Sequence, residues 1–272
     1  MSEERGGGVG LGTLPVREGR NDSTWFREHF DDAADAIIAF FGGDRISLRS
    51  KEVADLGSGD GIIDLALVLK AEPANLVGFD IVPTDVDRLR ELALRENVAD
   101  TLPANLAFSP CEPRRIPASD DAFDIVTSWS TFEHVDDPAA VLAEIHRILR
   151  PYGLLMIQIW PLYYSQHGSH LWQFFPLGFE QLLRTPAELE AAVRQNPGPE
   201  PDWAEVLIEQ FRSCNRLTLD ELQQHLNAAG FAIHKVELLS EAVHLPPGTE
   251  QYPLSRLTIS GVKLIASAVP LA

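Results

Sequence analysis

Apolar residues in this chain fall into two kinds of pattern that follow one another along its length. Short, nearly continuous runs occur at Val53–Leu56, Asn75–Ile81, Leu106–Ser109, Phe123–Ser128, Gly153–Ile159, Phe231–Val236 and Leu257–Ala266. Between the first five, apolar positions recur at helical spacing, from Ile62 to about Lys70, Thr84 to Asn97 and Pro138 to Leu149. Strands apolar on both faces and joined by helices predict a parallel sheet covered on both sides, with ligands at the carboxyl ends of its strands. A further helix is expected from Thr24 to about Phe41, with Asn21-Asp22-Ser23 before it as a cap. Most of its stripe (Phe30, Ala34, Ile37, Ile38, Phe41) reads as core, while Trp25 and Phe26 are placed to cover a ligand. Thr218 and Glu221 form a capping box for a helix that stops at Gly230.

The regularity breaks at 160–217, which is rich in aromatics, His and Pro, with helical patches around Pro186–Gln195 and Trp203–Arg212. The expected organisation is a glycine-rich flexible arm over 1–20 and one domain over 21–272. In that domain, 160–217 is an insertion between the fifth and sixth strands, acting as a substrate cap. The formal net charge of −18 excludes a phosphate-backbone partner and disfavours anionic membranes. No apolar run reaches transmembrane length, and the N-terminus lacks the apolar stretch of a secretory signal. Cys111 and Cys214 are the two cysteines. They fit a reducing cytoplasm and cannot build a thiolate metal cluster.

The candidate chemistry centres on Asp55-Leu56-Gly57-Ser58-Gly59-Asp60-Gly61, a strand end, a glycine turn and a helix start. Glycines let the backbone turn with positive φ and approach a ligand, and the helix start offers unpaired N–H groups. A dinucleotide fold would carry G-x-G-x-x-G facing a pyrophosphate. Here the spacing is G-x-G-x-G, and Asp55 suits an ammonium better than a phosphate. Asp80, ending the second apolar run, is placed for a ribose diol. S-adenosylmethionine (SAM) carries an ammonium, a sulfonium and no phosphate.

These residues, with Ile116-Pro117, Asp121 to Val126, Phe132-Glu133-His134-Val135 and Arg147 to Leu154, resemble class I SAM-dependent methyltransferases of the type 11, ubiquinone/menaquinone-biosynthesis-like group. The resemblance covers roughly 50–160 and resumes at 218–266. It implies an α/β, Rossmann-like, seven-stranded class I sheet. It assigns the methionine part of SAM to Asp55, Gly57, Ser58, Gly59 and Gly61 and the ribose to Asp80. It sets Ile81 against the adenine, Cys111 and Glu112 at the adenine edge, and Ser128 and Trp129 near the sulfonium. Tyr152 stands where the family usually has glycine, and Glu112 where it usually has aspartate.

The resemblance implies that His134 lies near the acceptor. A neutral hydroxyl needs a base or a cation to become nucleophilic. Glu133 and His134, with His170, are therefore the candidate catalytic residues. Relatives that hold a divalent ion use Glu-x-x-Glu-His with a distant His. Here Ser130 replaces the first Glu, leaving Glu133, His134, His167 and His170 as candidate ligands for Mg²⁺ or Mn²⁺. The insertion segment Trp160–Phe175 mixes rings with hydrogen-bonding groups, which suits a sugar, polyol or aromatic polyketide, and weakly resembles bacterial sugar O-methyltransferases such as those of methylmannose polysaccharide synthesis. The expected activity is methylation of a hydroxyl on a small polar acceptor, a sugar or oligosaccharide. The alternatives are C- or N-methylation in quinone or natural-product biosynthesis, and a SAM-binding protein without chemistry.

Overall fold

The computed structural model describes residues 22–199 and 201–270, so the arm expected over 1–20 lies outside the described residues. All seven apolar runs form strands: β1 (Glu52–Leu56), β2 (Asn75–Asp80), β3 (Leu106–Pro110), β4 (Phe123–Trp129), β5 (Leu149–Ile159), β6 (Phe231–Ser240) and β7 (Ile259–Ala268). They make one sheet in the order β3-β2-β1-β4-β5-β7-β6. The first five are parallel, and β7 runs antiparallel to both β5 and β6.

The N-terminal helix runs as α1 (Asp22–Arg27), a π-helical turn (Glu28–Ala33) and α2 (Ala34–Gly42). A π turn disturbs the backbone ladder locally, and here the Phe30 carbonyl accepts a bond from Lys70 Nζ at 2.8 Å. That lysine belongs to α3 (Ile62–Ala71). With α4 (Val86–Arg95) these helices cover one face of the sheet, burying Phe26, Ile37, Leu65 and Leu89 with Val53 and Ile125. The other face is covered by α5 (Pro138–Ile148) and, further on, by the helix that Thr218 caps. Asp137 caps α5 by accepting from Ala140 N–H at 3.1 Å.

Between β5 and that helix the chain leaves the sheet and forms α6 (Glu180–Leu183), α7 (Pro186–Gln195) and α8 (Pro201–Ser213). This segment has its own apolar cluster, in which Tyr163, Leu171, Leu189, Val193, Ile208 and Phe211 pack together. Thr218 and Glu221 then start α9 (Leu219–Ala228) with the expected reciprocal capping bonds.

Three strands differ from the sequence pattern by two residues or more. Leu257 and Thr258 belong to a short helix, α10 (Leu254–Thr258), closed by Leu257 N–H on the Pro253 carbonyl at 3.3 Å, so β7 starts at Ile259. β5 begins at Leu149, pairing with Phe123 across an irregularity in register. Tyr152, in that irregular stretch, takes a left-handed φ of 62° with its side chain in solvent, which explains why glycine is the easier residue there. β6 continues to Ser240, beyond the expected Val236. No helix of the described residues is long and apolar enough to cross a membrane.

Candidate active site

β1 and β4 are neighbours, but the chain winds outward from them in opposite directions, which makes their carboxyl ends the switch point at which sheets of this kind bind ligands. Both halves of the expected site meet there.

The first half is the glycine turn. Gly57 has φ 86°, and a Cβ there would overlap the Thr131 side chain. The turn after β4 therefore packs directly on the glycine turn, with only glycine between them. Gly59, at φ 54°, has no atom within 4 Å of a Cβ position and so leaves open space, while its N–H donates to Asp80 Oδ2 at 2.9 Å. Gly57 and Ser58 N–H groups both donate to the Phe79 carbonyl, at 2.7 and 3.2 Å. Ser58 Oγ lies 3.3 Å from Thr84 Oγ1, and Gly61 precedes α3 in a left-handed conformation. Trp25 Nε1 donates to Asp60 Oδ2 at 2.7 Å, which fastens α1 to the turn.

Asp55 is buried and accepts from Thr127 Oγ1 at 2.5 Å. Burial pushes its carboxyl up to about 7, against the Thr127 bond and with help from Asp80. Asp64, in the first turn of α3, was not singled out by the sequence. It is fully buried, and neither carboxylate oxygen has a hydrogen-bond partner. Burial first, then the negative charges of Asp55, Asp60 and Asp80, hold it well above the usual carboxylate range. A turn ringed by four carboxyls suits a cation and repels a pyrophosphate, so the residues present fit the ammonium and sulfonium of SAM. Asp80 keeps lone pairs beside the bonds from Gly59 and Val82 N–H groups, and Ile81 is 49% exposed just past it. Cys111 N–H donates to the Asp80 carbonyl at 2.8 Å, which brings Cys111 and exposed Glu112 to the same rim. Burial pushes the Cys111 thiol up to about 11, so it stays protonated. Ser128, at the carboxyl end of β4, is fully buried, and its hydroxyl donates to the Leu56 carbonyl at 2.9 Å. That bond pins β4 to β1.

The second half follows β4. Ser130, at φ 49°, donates its N–H and its hydroxyl to Gln158 Oε1, both at 2.8 Å, so the residue in place of a family glutamate is tied to β5. A 3₁₀ turn, Phe132–His134, then presents Glu133 and His134. Glu133, His134 and His170 bring potential ligand atoms within 4.8 Å of one another. The imidazole rings of His134 and His170 are 4.8 Å apart. Both Glu133 oxygens and His170 Nε2 are buried without hydrogen-bond partners. Burial pushes Glu133 up to about 8 and His134 down to about 4. Burial, then the proximity of His134, takes His170 to about 3. His170 holds a left-handed φ of 59°, a conformation that costs an L residue about 1–2 kcal/mol. His167 is not part of this group: its ring packs edge-on to Trp172 at 6.1 Å. Both histidine rings pack against Trp172, but His170 is the one that joins Glu133 and His134, and spacing alone did not choose between them. Trp160 and Trp172 line the same region, their rings 5.7 Å apart, and Trp172 is also 5.9 Å from His170.

The end of α8 closes this side. Asn215 donates its side-chain N–H groups to the carbonyls of Phe132 and Val135, at 2.6 and 2.9 Å, and its main-chain N–H to the Glu133 carbonyl at 2.7 Å. Ser213 Oγ lies 2.8 Å from His134 Nδ1. Sequence reasoning missed both residues, since nothing in Ser213-Cys214-Asn215 marks a partner about 80 positions away.

A seven-stranded sheet with one antiparallel strand and an acid-flanked glycine turn at its switch point defines a class I, Rossmann-like methyltransferase fold. The chain belongs to the methyltransferase-domain family, whose model matches residues 26–236. It is similar to the ubiquinone biosynthesis O-methyltransferase of Pseudomonas aeruginosa, 31% identical over 163 residues that make up 56% of this chain and 66% of that one. It is also similar to the erythromycin 3''-O-methyltransferase of Saccharopolyspora erythraea, 34% identical over 119 residues, 43% of this chain and 38% of that one. The chain thus spans less than two thirds of these relatives' lengths. Among solved structures, it shares its fold with the putative methyltransferase of Haloferax volcanii in complex with the Trm112 activator. That match has TM-score 0.55 and 19% identity, covering 92% of this chain and 96% of that one.

Proposed function

We propose that this protein is a SAM-dependent O-methyltransferase that acts in the cytoplasm on a hydroxyl of a small polar acceptor, a carbohydrate. The observation that carries this reading is the half-buried His134 imidazole, held neutral next to the glycine turn, three residues after Thr131 packs on Gly57. SAM supplies an activated methyl group on a sulfonium. Asp55, the glycine turn, Asp80, Ile81, Cys111 and Glu112 hold it. The segment 160–217 acts as a cap that excludes water and sets the acceptor in line with the methyl group. His134 takes the hydroxyl proton as the new O–C bond forms and the methyl–sulfur bond breaks, with S-adenosylhomocysteine as the leaving group. An imidazole held near 4 is a weak base, but an oxygen that is gaining a methyl group becomes strongly acidic, so a weak neutral acceptor suffices. Trp160 and Trp172, interleaved with His167 and His170, offer flat faces and polar edges, which supports a sugar ring. The names of the quinone-biosynthesis relatives favour a second acceptor, a phenolic hydroxyl.

A second reading of the same cluster is also supported. Three acceptor groups converge within 4.8 Å, two of them buried and unpartnered. Glu133, His134 and His170 would hold a divalent ion there, and its chemistry would be to lower the acceptor's hydroxyl pKa. Two imidazoles and one carboxylate suit Mn²⁺ better than Mg²⁺.

The test is S-adenosylhomocysteine release with panels of sugars and of phenols, each with and without EDTA. Release with sugars supports the carbohydrate reading, and release with phenols alone moves the acceptor to the quinone type. Turnover undiminished by EDTA removes the ion. SAM binding with no release on any acceptor removes O-methylation.

A further inference from the structure

We propose that Ser213 is a positioning residue that fixes the tautomer of His134, so that Nε2 carries the lone pair. Ser213 Oγ donates to the Gln210 carbonyl at 2.9 Å and lies 2.8 Å from His134 Nδ1. A carbonyl oxygen cannot donate, so the single hydroxyl proton of Ser213 is committed to Gln210. Towards His134 the same oxygen acts only as an acceptor. Nδ1 must therefore carry the proton, and a neutral ring then has its lone pair on Nε2. The second nitrogen of an imidazole is set by the bond the first one makes. Both roles considered for His134, proton acceptor and metal ligand, require that lone pair, and it is in this sense that the inference builds on the proposed function. Ser213 ends α8, and Asn215 ties the following residues to the turn that carries His134. The cap therefore sets the protonation pattern of the site as well as covering it.

The test is a long-range ¹H–¹⁵N correlation spectrum of the full chain labelled at histidine. Two other histidines calibrate it: His29 Nδ1 and His146 Nε2 each bond a carbonyl, at 2.8 and 2.9 Å, and so must be donors. His134 in the native protein should match His29. Ser213→Ala should shift His134 towards the other tautomer or a mixture while leaving the His29 and His146 signals in place, and Ser213→Thr should restore the native pattern. In turnover, Ser213→Ala should lower kcat by about 3- to 10-fold, the equivalent of one neutral hydrogen bond, without changing SAM affinity. A native His134 carrying its proton on Nε2, or a tautomer unchanged in Ser213→Ala, overturns the proposal whatever the turnover. A switched tautomer with undiminished turnover upholds it and counts instead against His134 in the chemistry.

Discussion

Binding of SAM should release a proton, and the proton should come from Asp55. In the free protein burial holds this carboxyl near 7, where an exposed aspartate would titrate near 3.8. An ammonium brought against it favours the ionised form. At pH 6 a group with that pKa is about 90% protonated, so binding should release about 0.9 proton, falling to about 0.5 at pH 7. The apparent affinity should improve about fivefold between these two pH values. Calorimetry in buffers of different ionisation enthalpy counts the protons directly, below the range in which the ligand's own amine titrates. Asp55→Asn should abolish the release and weaken binding. Asp64→Asn should leave the count unchanged, since Asp64 is held well above the usual range by burial and then by the charge of Asp55. The same shift has a stability consequence. Asp55 is raised in the fold, so its contribution is fully present below about 3.8 and is lost as pH rises through about 7. No proton release at pH 6, or equal release in Asp55→Asn, would refute the reasoning.

Two further perturbations separate packing from chemistry. Gly57→Ala adds left-handed strain of about 1–2 kcal/mol to an overlap with Thr131 worth about 1–3 kcal/mol, so Tm should drop by on the order of 10 °C. Gly59→Ala meets open space and should show only the strain, a drop about half as large in the same thermal melt. Glu133→Gln replaces a buried carboxyl, held near 8, by an amide of the same shape. With His134 as the base, turnover should stay within about threefold of native. A collapse of turnover together with EDTA sensitivity would shift the account to the ion.

The sheet was legible because strands buried on both faces must be apolar throughout, and each run from Val53 to Ile159 became the strand it predicted. The cofactor turn was legible because its glycines and carboxyls are contiguous in sequence. Asp64 was overlooked, although an acid inside Ile62-Ile63-Asp64-Leu65 was a readable signal of a buried polar group. Leu257 and Thr258 read as strand because two residues carry no period, and the turn after Pro253 decided their conformation. The acceptor side was only half legible. Glu133 and His134 announce themselves, but which insertion histidine reaches them depends on the backbone at His170, and Ser213 and Asn215 act through long-range contacts with no local pattern. The bond from the Ser128 hydroxyl to the Leu56 carbonyl was equally hidden, since a hydroxyl at a strand end can serve the neighbouring strand as readily as a ligand.

The central claim is that a neutral His134 accepts the proton of a hydroxyl as it is methylated. It is tested most directly by single-turnover methyl transfer in native protein and His134→Gln, with SAM affinity measured on the same samples. The account predicts a rate lowered by about 10²- to 10⁴-fold with SAM binding essentially unchanged. A His134→Gln variant that methylates the hydroxyl at the native rate would contradict it.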